Sequence, residues 1–292
     1  MGTSVMITFL QGIITGISMG AIYVTVSLGL TLILGVMNFK NFAHGEMVTL
    51  GAYSSFLLFF FLGISPFISL FLVVPILFFF GVFLQKTIVK PVMNRSFTTQ
   101  LVLTFGLSIF IQSLLTFVFT SDLKGVPTQI SVASISLGGI AISTIKLINI
   151  VFAIALVIAL ALFLKKGRMG QFMVAVSESR QGAELVGINV NRVDQFAFGL
   201  GTALAGVAGA MLILTQAISP FVGFHFLLKA FIVLVLGGMG SIVGAIFGGF
   251  LLGVVESLTG IYLTANLIDL VGFIMLVVVL IFKPTGLFGK SL

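Results

Sequence analysis

The sequence predicts an all-α integral membrane protein with eight to ten transmembrane segments, some of them discontinuous. Hydrophobic residues make up 59% of the 292 residues and charged residues only 7%, whereas roughly 25% of an ordinary soluble domain is charged. The apolar runs are long and continuous, without the alternation of a transmembrane barrel. Because a helix satisfies its own backbone hydrogen bonds in lipid and a lone strand does not, each run is expected to be helical.

Six charge-free runs define the candidate segments in chain order. They cover residues 1–39, 47–85, 96–121, 147–164, 195–224 and 230–255. A helix rises about 1.5 Å per residue and the hydrocarbon core is about 30 Å thick, so we expect the first run to break or to cross twice. No positive charge precedes this run, so we expect no cleavable signal peptide and a retained N-terminus.

Glycine and proline mark the interruptions within these runs. They occur at 63–66, at Ser219 with Pro220, and in LGGMGS at 236–241, which are signals for turns and helix breaks. LILGVM at 32–37 and LVLGGM at 234–239 share four of six positions, and each lies at a predicted break. The pair is a candidate internal repeat, a feature of transporters with related halves.

The charged residues are concentrated outside these runs. Residues 165–194 hold eight of the 21 charged side chains, and each would cost about 2.5–3.5 kcal/mol at a helix centre in the bilayer. Two further basic clusters are Lys86 with Lys90 and Arg95, and Lys283 with Lys290. The positive-inside bias places all three clusters in the cytoplasm and the polar segment 121–146 outside.

Small residues recur at four-residue spacing in three ladders. The ladders are Gly12, Gly16 and Gly20; Gly201, Ala205 and Gly209; and Gly240, Gly244 and Gly248. This spacing places each ladder on one helix face, where another backbone can approach closely. Two interpretations are open: packing inside the helix bundle, or contact with a second subunit.

Several kinds of chemistry are poorly supplied by this sequence. It has no cysteine, only two histidines and no GxxxxGK[ST] motif, so we expect no thiolate site, no bound cofactor or metal, and no ATP hydrolysis by a P-loop in this chain. The formal charge of +7 is better explained by membrane orientation than by nucleic acid, because the basic groups do not form a soluble face with polar or aromatic partners.

The motif NFAHGE at 41–46 is polar within an apolar chain. His44 and Glu46 are two residues apart, so on a helix they point to different sides and do not form a metal pair by themselves. Asn41 can cap the helix that begins there, with Glu46 in its first turn. Ionisable groups at membrane depth mark a pathway, a helix end or a protein contact, so Asn41, His44 and Glu46 are candidates for a pathway or a helix junction.

A short helix is predicted in SESRQGAELVG at 177–187. We expect Ser177 to be its N-cap and Gly187 its C′ residue. Its apolar surface would come from Ala183 and Leu185, and its charges keep it in water; these are Glu178, Arg180 and Glu184. The alternative is an amphipathic loop that lies on the membrane surface.

Four separated motifs carry a family resemblance. They are NFAHGEMVTLGAY at 41–53, AVSESRQGAELVGINVNRVDQFAFGLGTALAGVAGAM at 175–211, VLGGMGSIVGAIFGGFLLGVVES at 235–257, and PTGLFG at 284–289. Together, and in this order, they resemble the LivH-type permease subunit of branched-chain amino acid ABC importers. The resemblance spans nearly the whole chain.

The resemblance implies a single permease domain over 1–292 in a bacterial or archaeal cell membrane, with 165–194 as its cytoplasmic coupling segment. It implies a second permease subunit, LivM-like or a second copy, two cytoplasmic ATPases that use ATP and magnesium, and an extracytoplasmic substrate-binding protein. Asn41, His44 and Glu46 would lie near the translocation path or its gate. The helix at 177–187 would be the coupling helix that enters a cleft of the ATPase.

Other functions remain open from the sequence. Within the resemblance, the solute could be urea or a short amide. A stand-alone channel or secondary transporter needs no segment like 165–194, and ion coupling usually leaves more acidic groups in the bilayer than Glu46, Glu256 and Asp269. A membrane-embedded enzyme is disfavoured because histidine, aspartate and glutamate are scarce.

Overall fold

The computed structural model describes residues 2–126, 133–137 and 140–289. Eleven α-helices occur in these ranges: α1 Gly2–Met37, α2 His44–Leu62, α3 Pro66–Leu84, α4 Phe97–Phe119, α5 Thr144–Lys166, α6 Arg168–Glu178, α7 Arg180–Leu185, α8 Val190–Thr215, α9 Val222–Gly237, α10 Ile242–Tyr262 and α11 Ile268–Phe282. A π-helical turn, Gln85–Val89, and a 3-10 turn, Lys90–Val92, extend α3, and a 3-10 turn, Ala265–Leu267, precedes α11.

Eight helices of the described chain are long and apolar enough to cross a membrane. They are α1, α2, α3 with its extension, α4, α5, α8, α10, and α11 with its preceding turn. Helix α9 is apolar but has only 16 residues. The prediction of an all-α membrane protein with eight to ten segments, some of them short, is confirmed.

Helix α1 differs from the sequence expectation. It is one continuous helix of 36 residues, so the prediction that the first run breaks or crosses twice is wrong. No proline interrupts it, and its glycines pack against another helix. A Cβ on Gly16 would lie 2.5 Å from the Cα of Val254, and one on Gly20 would lie 2.9 Å from the Cα of Phe250. Helices α1 and α10 are therefore antiparallel and in close backbone contact.

Helix α8 is the centre of the bundle and packs against α1, α2 and α3. A Cβ on Gly201 would lie 2.7 Å from the carbonyl oxygen of Gly29, and one on Gly209 would overlap the carbonyl oxygen of Val48. The ladder of small residues on α8 therefore packs inside the bundle, as the first interpretation predicts.

The third ladder is only partly helical. A Cβ on Gly244 would overlap the carbonyl oxygen of Gly237, and one on Gly248 would lie 3.1 Å from that of Val233. Gly240 precedes the helix, has a φ of +82°, and has no atom within 4 Å of an added Cβ. Its assignment to the ladder is wrong, because α10 begins at Ile242. The remaining contact joins α9 to α10 within this chain, not to a second subunit.

The interruptions lie where the sequence places them. Gly63 ends α2 in the left-handed conformation with a φ of +62°, and Pro66 begins α3. Ser219 and Pro220 separate α8 from α9. The two similar hexapeptides each cover the end of a helix, α1 and α9, and the duplication itself stays a prediction.

The segment predicted to lie outside includes an antiparallel hairpin that the sequence did not predict. Its strands are β1 Ser134–Leu137 and β2 Ile140–Ser143, with Ile135 opposite Ile142. Lys124 also pairs with Ile218, which follows α8. Residues 127–132 and 138–139 of this segment lie outside the described residues.

Candidate functional site

Helices α2 and α9 both begin level with the middle of a membrane-spanning helix. Glu46, in the first turn of α2, accepts a hydrogen bond from Ser108, which lies halfway along α4. At the start of α9, the carbonyl oxygen of Gly223 would overlap a Cβ on Gly45. Two helix N-termini, with their positive partial charge, therefore meet deep within the bundle.

Asn41 shapes the turn before α2 but does not cap the helix directly. Its Oδ1 accepts from the backbone N–H of Ala43 at 3.0 Å, which is an Asx-turn. The N-cap position is Ala43, without a side-chain cap. The N-cap prediction for Asn41 is wrong, because α2 begins three residues later, at His44.

His44 fastens α2 to α1. It is fully buried, and its Nε2 lies 3.0 Å from the backbone carbonyl oxygen of Val26. Because a carbonyl only accepts, Nε2 must carry the proton and donate it. Gly29 makes room for the ring, since a Cβ there would lie 3.2 Å from Nε2. His44 and Asn41 thus have the geometry of a helix junction.

Glu46 has a different environment. Its exposure is 1%, and it lies in the first turn of α2, as predicted. Oε1 accepts from the Ser108 hydroxyl at 3.0 Å and Oε2 from the Thr49 hydroxyl at 3.3 Å. No ion pair involving Glu46 occurs within the described ranges. The two helix N-termini supply its favourable electrostatic surroundings.

A polar stripe on α4 leads away from Glu46, and the sequence analysis missed it. Its members recur every four residues: Gln100, Thr104, Ser108, Gln112 and Thr116. An open cavity of about 380 Å³ lies at one end of the stripe, lined by Gln112, Ser113, Thr116, Phe117 and Phe221. Four-residue spacing puts polar groups on one helix face, and this signal in the run 96–121 could have revealed the stripe.

The predicted coupling helix is present but begins later than expected. Ser179, not Ser177, is the N-cap of α7, and its Oγ accepts from the backbone N–H of Gly182 at 3.0 Å. Ser177 remains within α6 and donates to the carbonyl of Val174. The prediction placed the cap two residues too early, because the extended backbone of Ser179 separates two helices where one was expected.

The end of α7 agrees with the prediction. Gly187 has a φ of +82°, its N–H donates to the carbonyl of Glu184, and the N–H of Ile188 donates to that of Ala183, both at 3.0 Å. These two bonds are the Schellman pattern that ends a helix.

The surface of α7 is apolar at its end. Leu185 is 89% exposed and Val186 76%, whereas Ala183 is only 3% exposed. The prediction that Ala183 supplies contact surface is wrong, since its side chain packs inside the chain. Glu178 and Glu184 are exposed, as expected for a segment in water.

Arg180 joins α7 to the central helix. Its Nη1 and Nη2 donate to Oδ1 and Oδ2 of Asp194 at 3.2 and 2.5 Å. The Asp194 side chain is fully buried in the first turns of α8. This two-point geometry fixes orientation as well as distance, so the exposed end of α7 is rigidly connected to the core.

A family model described as "Branched-chain amino acid transport system / permease component" matches residues 12–280. The chain belongs to this family. It is 33% identical to the LivH permease protein of Salmonella typhimurium and 32% identical to the BraD permease protein of Pseudomonas aeruginosa, in both cases over 97% of this chain and 96% of the relative. A probable LivH of Methanocaldococcus jannaschii is 28% identical over 91% of this chain and 88% of its own. No solved structure matched.

This member of the permease family contains a second buried polar cluster, which could not be assembled from the sequence. Lys229 on α9 donates to Glu256 on α10 at 2.5 Å and to Asp269 on α11 at 2.6 Å. The hydroxyl of Tyr23 on α1 donates to the other oxygen of Glu256 at 2.7 Å. The cluster therefore joins four helices. Isolated charges in otherwise apolar runs were the available signal, but their pairing depends on tertiary packing.

Proposed function

We propose that this permease is a subunit of an ATP-driven importer for leucine, isoleucine and valine. The observation that carries the proposal is the similarity to LivH and BraD, named as branched-chain amino acid transport permeases, over 97% of the chain. Its partners would be a second permease subunit, LivM-like or another copy, two cytoplasmic ATPases that use ATP and magnesium, and an extracytoplasmic binding protein. The complex would lie in a bacterial or archaeal cell membrane.

The junction of α2 and α9 suits the translocation path. Transporters place substrate sites where discontinuous helices begin near the bilayer midplane, and both helices begin level with the middle of α4. Glu46 offers a carboxylate there, while Asn41 and His44 hold the turn and the start of α2. We therefore assign Glu46 to the path and the other two residues to the junction that supports it.

Helix α7 suits the role of coupling helix. It exposes Leu185 and Val186 in a segment whose charges keep it out of the bilayer. Two exposed apolar side chains at the end of a rigid short helix are more stable when they are buried in a cleft of a partner protein than when they are in water. Through Arg180 and Asp194, movement of α7 would be transmitted to α8, which contacts the helices around the path.

The test replaces Leu185 by Glu in the tagged permease, expressed together with its native partners in the producing cell. We expect the ATPase to be lost on co-purification and leucine uptake to fall to background, because a charge on the docking surface opposes its burial. Gln171→Glu is the matched control: it adds the same charge at an exposed position of α6 and should leave both measurements unchanged.

Two results would contradict the proposal. Leucine uptake that continues without any ATPase would indicate a channel or secondary transporter. Uptake of urea or a short amide, without uptake of leucine, would show that the substrate class is wrong.

A further inference from the structure

We infer that Glu46 is the acceptor for the ammonium group of the transported amino acid, and that the cavity beside α4 holds the rest of that molecule. The inference rests on the proposed function for its substrate class. Glu46 binds the ammonium group, and the cavity binds the carboxylate and the aliphatic side chain. Gln112, Ser113 and Thr116 are thereby added to the path.

The Glu46 carboxylate has unused hydrogen-bonding capacity. Each of its oxygens accepts one hydroxyl hydrogen bond, whereas a carboxylate offers about four lone-pair sites. A buried charge is costly unless it is paired and fully hydrogen-bonded. The carboxylate of Glu46 is thus suited to a further donor that carries positive charge.

The other buried carboxylates of the described chain differ from Glu46. Asp194 is paired with Arg180, and Glu256 is paired with Lys229. Both of these groups have a cation from the protein itself. Among the three buried carboxylates in the described ranges, Glu46 is the one whose cation the chain does not supply. A ligand cation fits that position.

The cavity lies close to Glu46. Gln112 lines the cavity and lies four residues after Ser108, so it is about 6 Å along α4 from the residue that donates to Glu46. The start of α9 makes a second connection: Phe221 lines the cavity, and a Cβ on Gly223, two residues later, would lie 2.8 Å from Oε2 of Glu46. The same two segments, α4 and the start of α9, therefore border both the cavity and the carboxylate.

The residues that line the cavity combine apolar and polar groups. Phe117 and Phe221 provide apolar surface for an aliphatic side chain, while Gln112 and Ser113 provide donors for a carboxylate. The Thr116 hydroxyl donates to the carbonyl of Gln112 and leaves its own oxygen as an acceptor. The cavity volume of about 380 Å³ lies within the roughly 300–1,000 Å³ of small-molecule sites. A mixture of mainly apolar walls with a few polar groups is typical of such sites.

The experiment uses the absence of tryptophan from the chain. In Phe117→Trp, one indole reports on the cavity, and the purified full-length permease in lipid nanodiscs is titrated with leucine. Isopentylamine, which lacks the carboxylate, and isocaproate, which lacks the ammonium group, are the comparison ligands. We expect fluorescence changes with leucine and isopentylamine but not with isocaproate. Phe221→Trp is a second reporter, and Phe110→Trp, on α4 but outside the lining of the cavity, should not respond.

Glu46→Gln, made in the reporter background, should weaken leucine binding by roughly 10- to 100-fold, since it removes a charge-assisted hydrogen bond. Ser108→Ala should weaken it by a few-fold, because it keeps the carboxylate and removes one of its donors. Asp122→Asn, a neutralised carboxylate on the exposed segment after α4, is the matched control and should bind as the parent does.

The outcomes separate this inference from the proposed function. Parental leucine affinity in a folded, monodisperse Glu46→Gln protein would overturn it, as would equal binding of isocaproate and leucine. No response from either cavity reporter would also overturn it, even if leucine uptake and ATPase co-purification are normal. Conversely, a leucine response that depends on Glu46 would stand even if no ATPase binds to α7.

Discussion

Arg180 and Asp194 form a two-point salt bridge that joins α7 to α8. Nη2 of the arginine lies 2.5 Å from Oδ2 of the aspartate, whose side chain is fully buried, whereas the arginine side chain is 37% exposed. The exposed end of α7, which carries Leu185 and Val186, is separate from this bridge. Binding of a partner and transmission of movement into the core can therefore be disrupted separately.

Asp194→Asn is expected to uncouple the transporter without releasing its ATPase. The docking surface of α7 is intact in this variant, but the buried end of the bridge loses its charge. We expect normal co-purification of the ATPase and leucine uptake lower by roughly tenfold, the size of a typical coupling energy. Arg180→Lys should have a similar but smaller effect, since lysine keeps the charge and loses the two-point geometry.

Glu184→Gln is the control for this prediction, because Glu184 is exposed on the same helix and its neutralisation leaves the bridge in place. Uptake at the parental rate in Asp194→Asn, with the ATPase bound, would show that α7 acts on the core by another route.

The sequence predicted the short helix α7 because its signals are local: Gly187 ends it, and its charges exclude it from the bilayer. It misplaced the N-cap, since Ser177 and Ser179 are equally good caps and only the extended backbone at Ser179 decides between them. The Arg180–Asp194 bridge could not be predicted, because Asp194 belongs to a different helix and its burial depends on how that helix packs.

The continuity of α1 and the environment of Glu46 likewise depend on how the helices pack, which the sequence does not reveal. Length alone suggested a break in α1, but the helix is continuous over 36 residues, and its glycines form a contact face for α10 instead of a break. The motif at 41–46 was recognised as unusual. That Ser108 lies opposite Glu46, 62 residues away in the sequence, follows only from the packing of α4 against α2.

Gly244→Ala is expected to destabilise the permease, because the new Cβ would overlap the carbonyl oxygen of Gly237. Backbone atoms cannot move aside as a side-chain tip can, so we expect a loss of about 1–3 kcal/mol, measured as a lower unfolding temperature in detergent by circular dichroism. Gly106→Ala is the matched control: nothing lies within 4 Å of its Cβ, and alanine favours a helix by up to about 1 kcal/mol. Equal melting of the two variants would contradict the tight α9–α10 contact.

The topology can be tested with single cysteines, since the chain has none of its own. Positions 122 and 181 are both exposed, and they lie in the segments predicted outside and inside. An impermeant maleimide should label Asp122→Cys in intact cells, and should label Gln181→Cys only after the membrane is opened. Labelling of both from outside, or the reverse pattern, would show that the positive-inside assignment is wrong.

The same reagent can place the start of α1. Lys146, at the start of α5, donates to Thr15 on α1 at 2.8 Å, and α5 follows the segment predicted to lie outside. The beginning of α1 should therefore be on the outer side. Met6→Cys, at a position that is 57% exposed, is expected to react in intact cells. Reaction only in opened cells would contradict the assigned direction of α1.

Lys229→Met is expected to be the most damaging change in the second polar cluster. It leaves the buried carboxylate of Glu256 without a cation, and removal of one partner from a buried ion pair costs about 3–5 kcal/mol. Asp269 adds less to this cost, because its side chain is 58% exposed and can be solvated. The measurement is the unfolding temperature of the purified permease in detergent.

The double variant Lys229→Met with Glu256→Gln tests whether the loss of stability in Lys229→Met comes from the unpaired charge of Glu256. With the charge of Glu256 removed, this cluster no longer contains an unpaired buried carboxylate, so most of the lost stability should return. The hydroxyl of Tyr23 can still donate to the glutamine oxygen, which preserves the link between α1 and α10. A thermodynamic cycle over the parent, the two single variants and the double variant should give a coupling of at least about 1 kcal/mol. Additive losses would mean that Lys229 and Glu256 stabilise the bundle independently, through packing rather than through their charges.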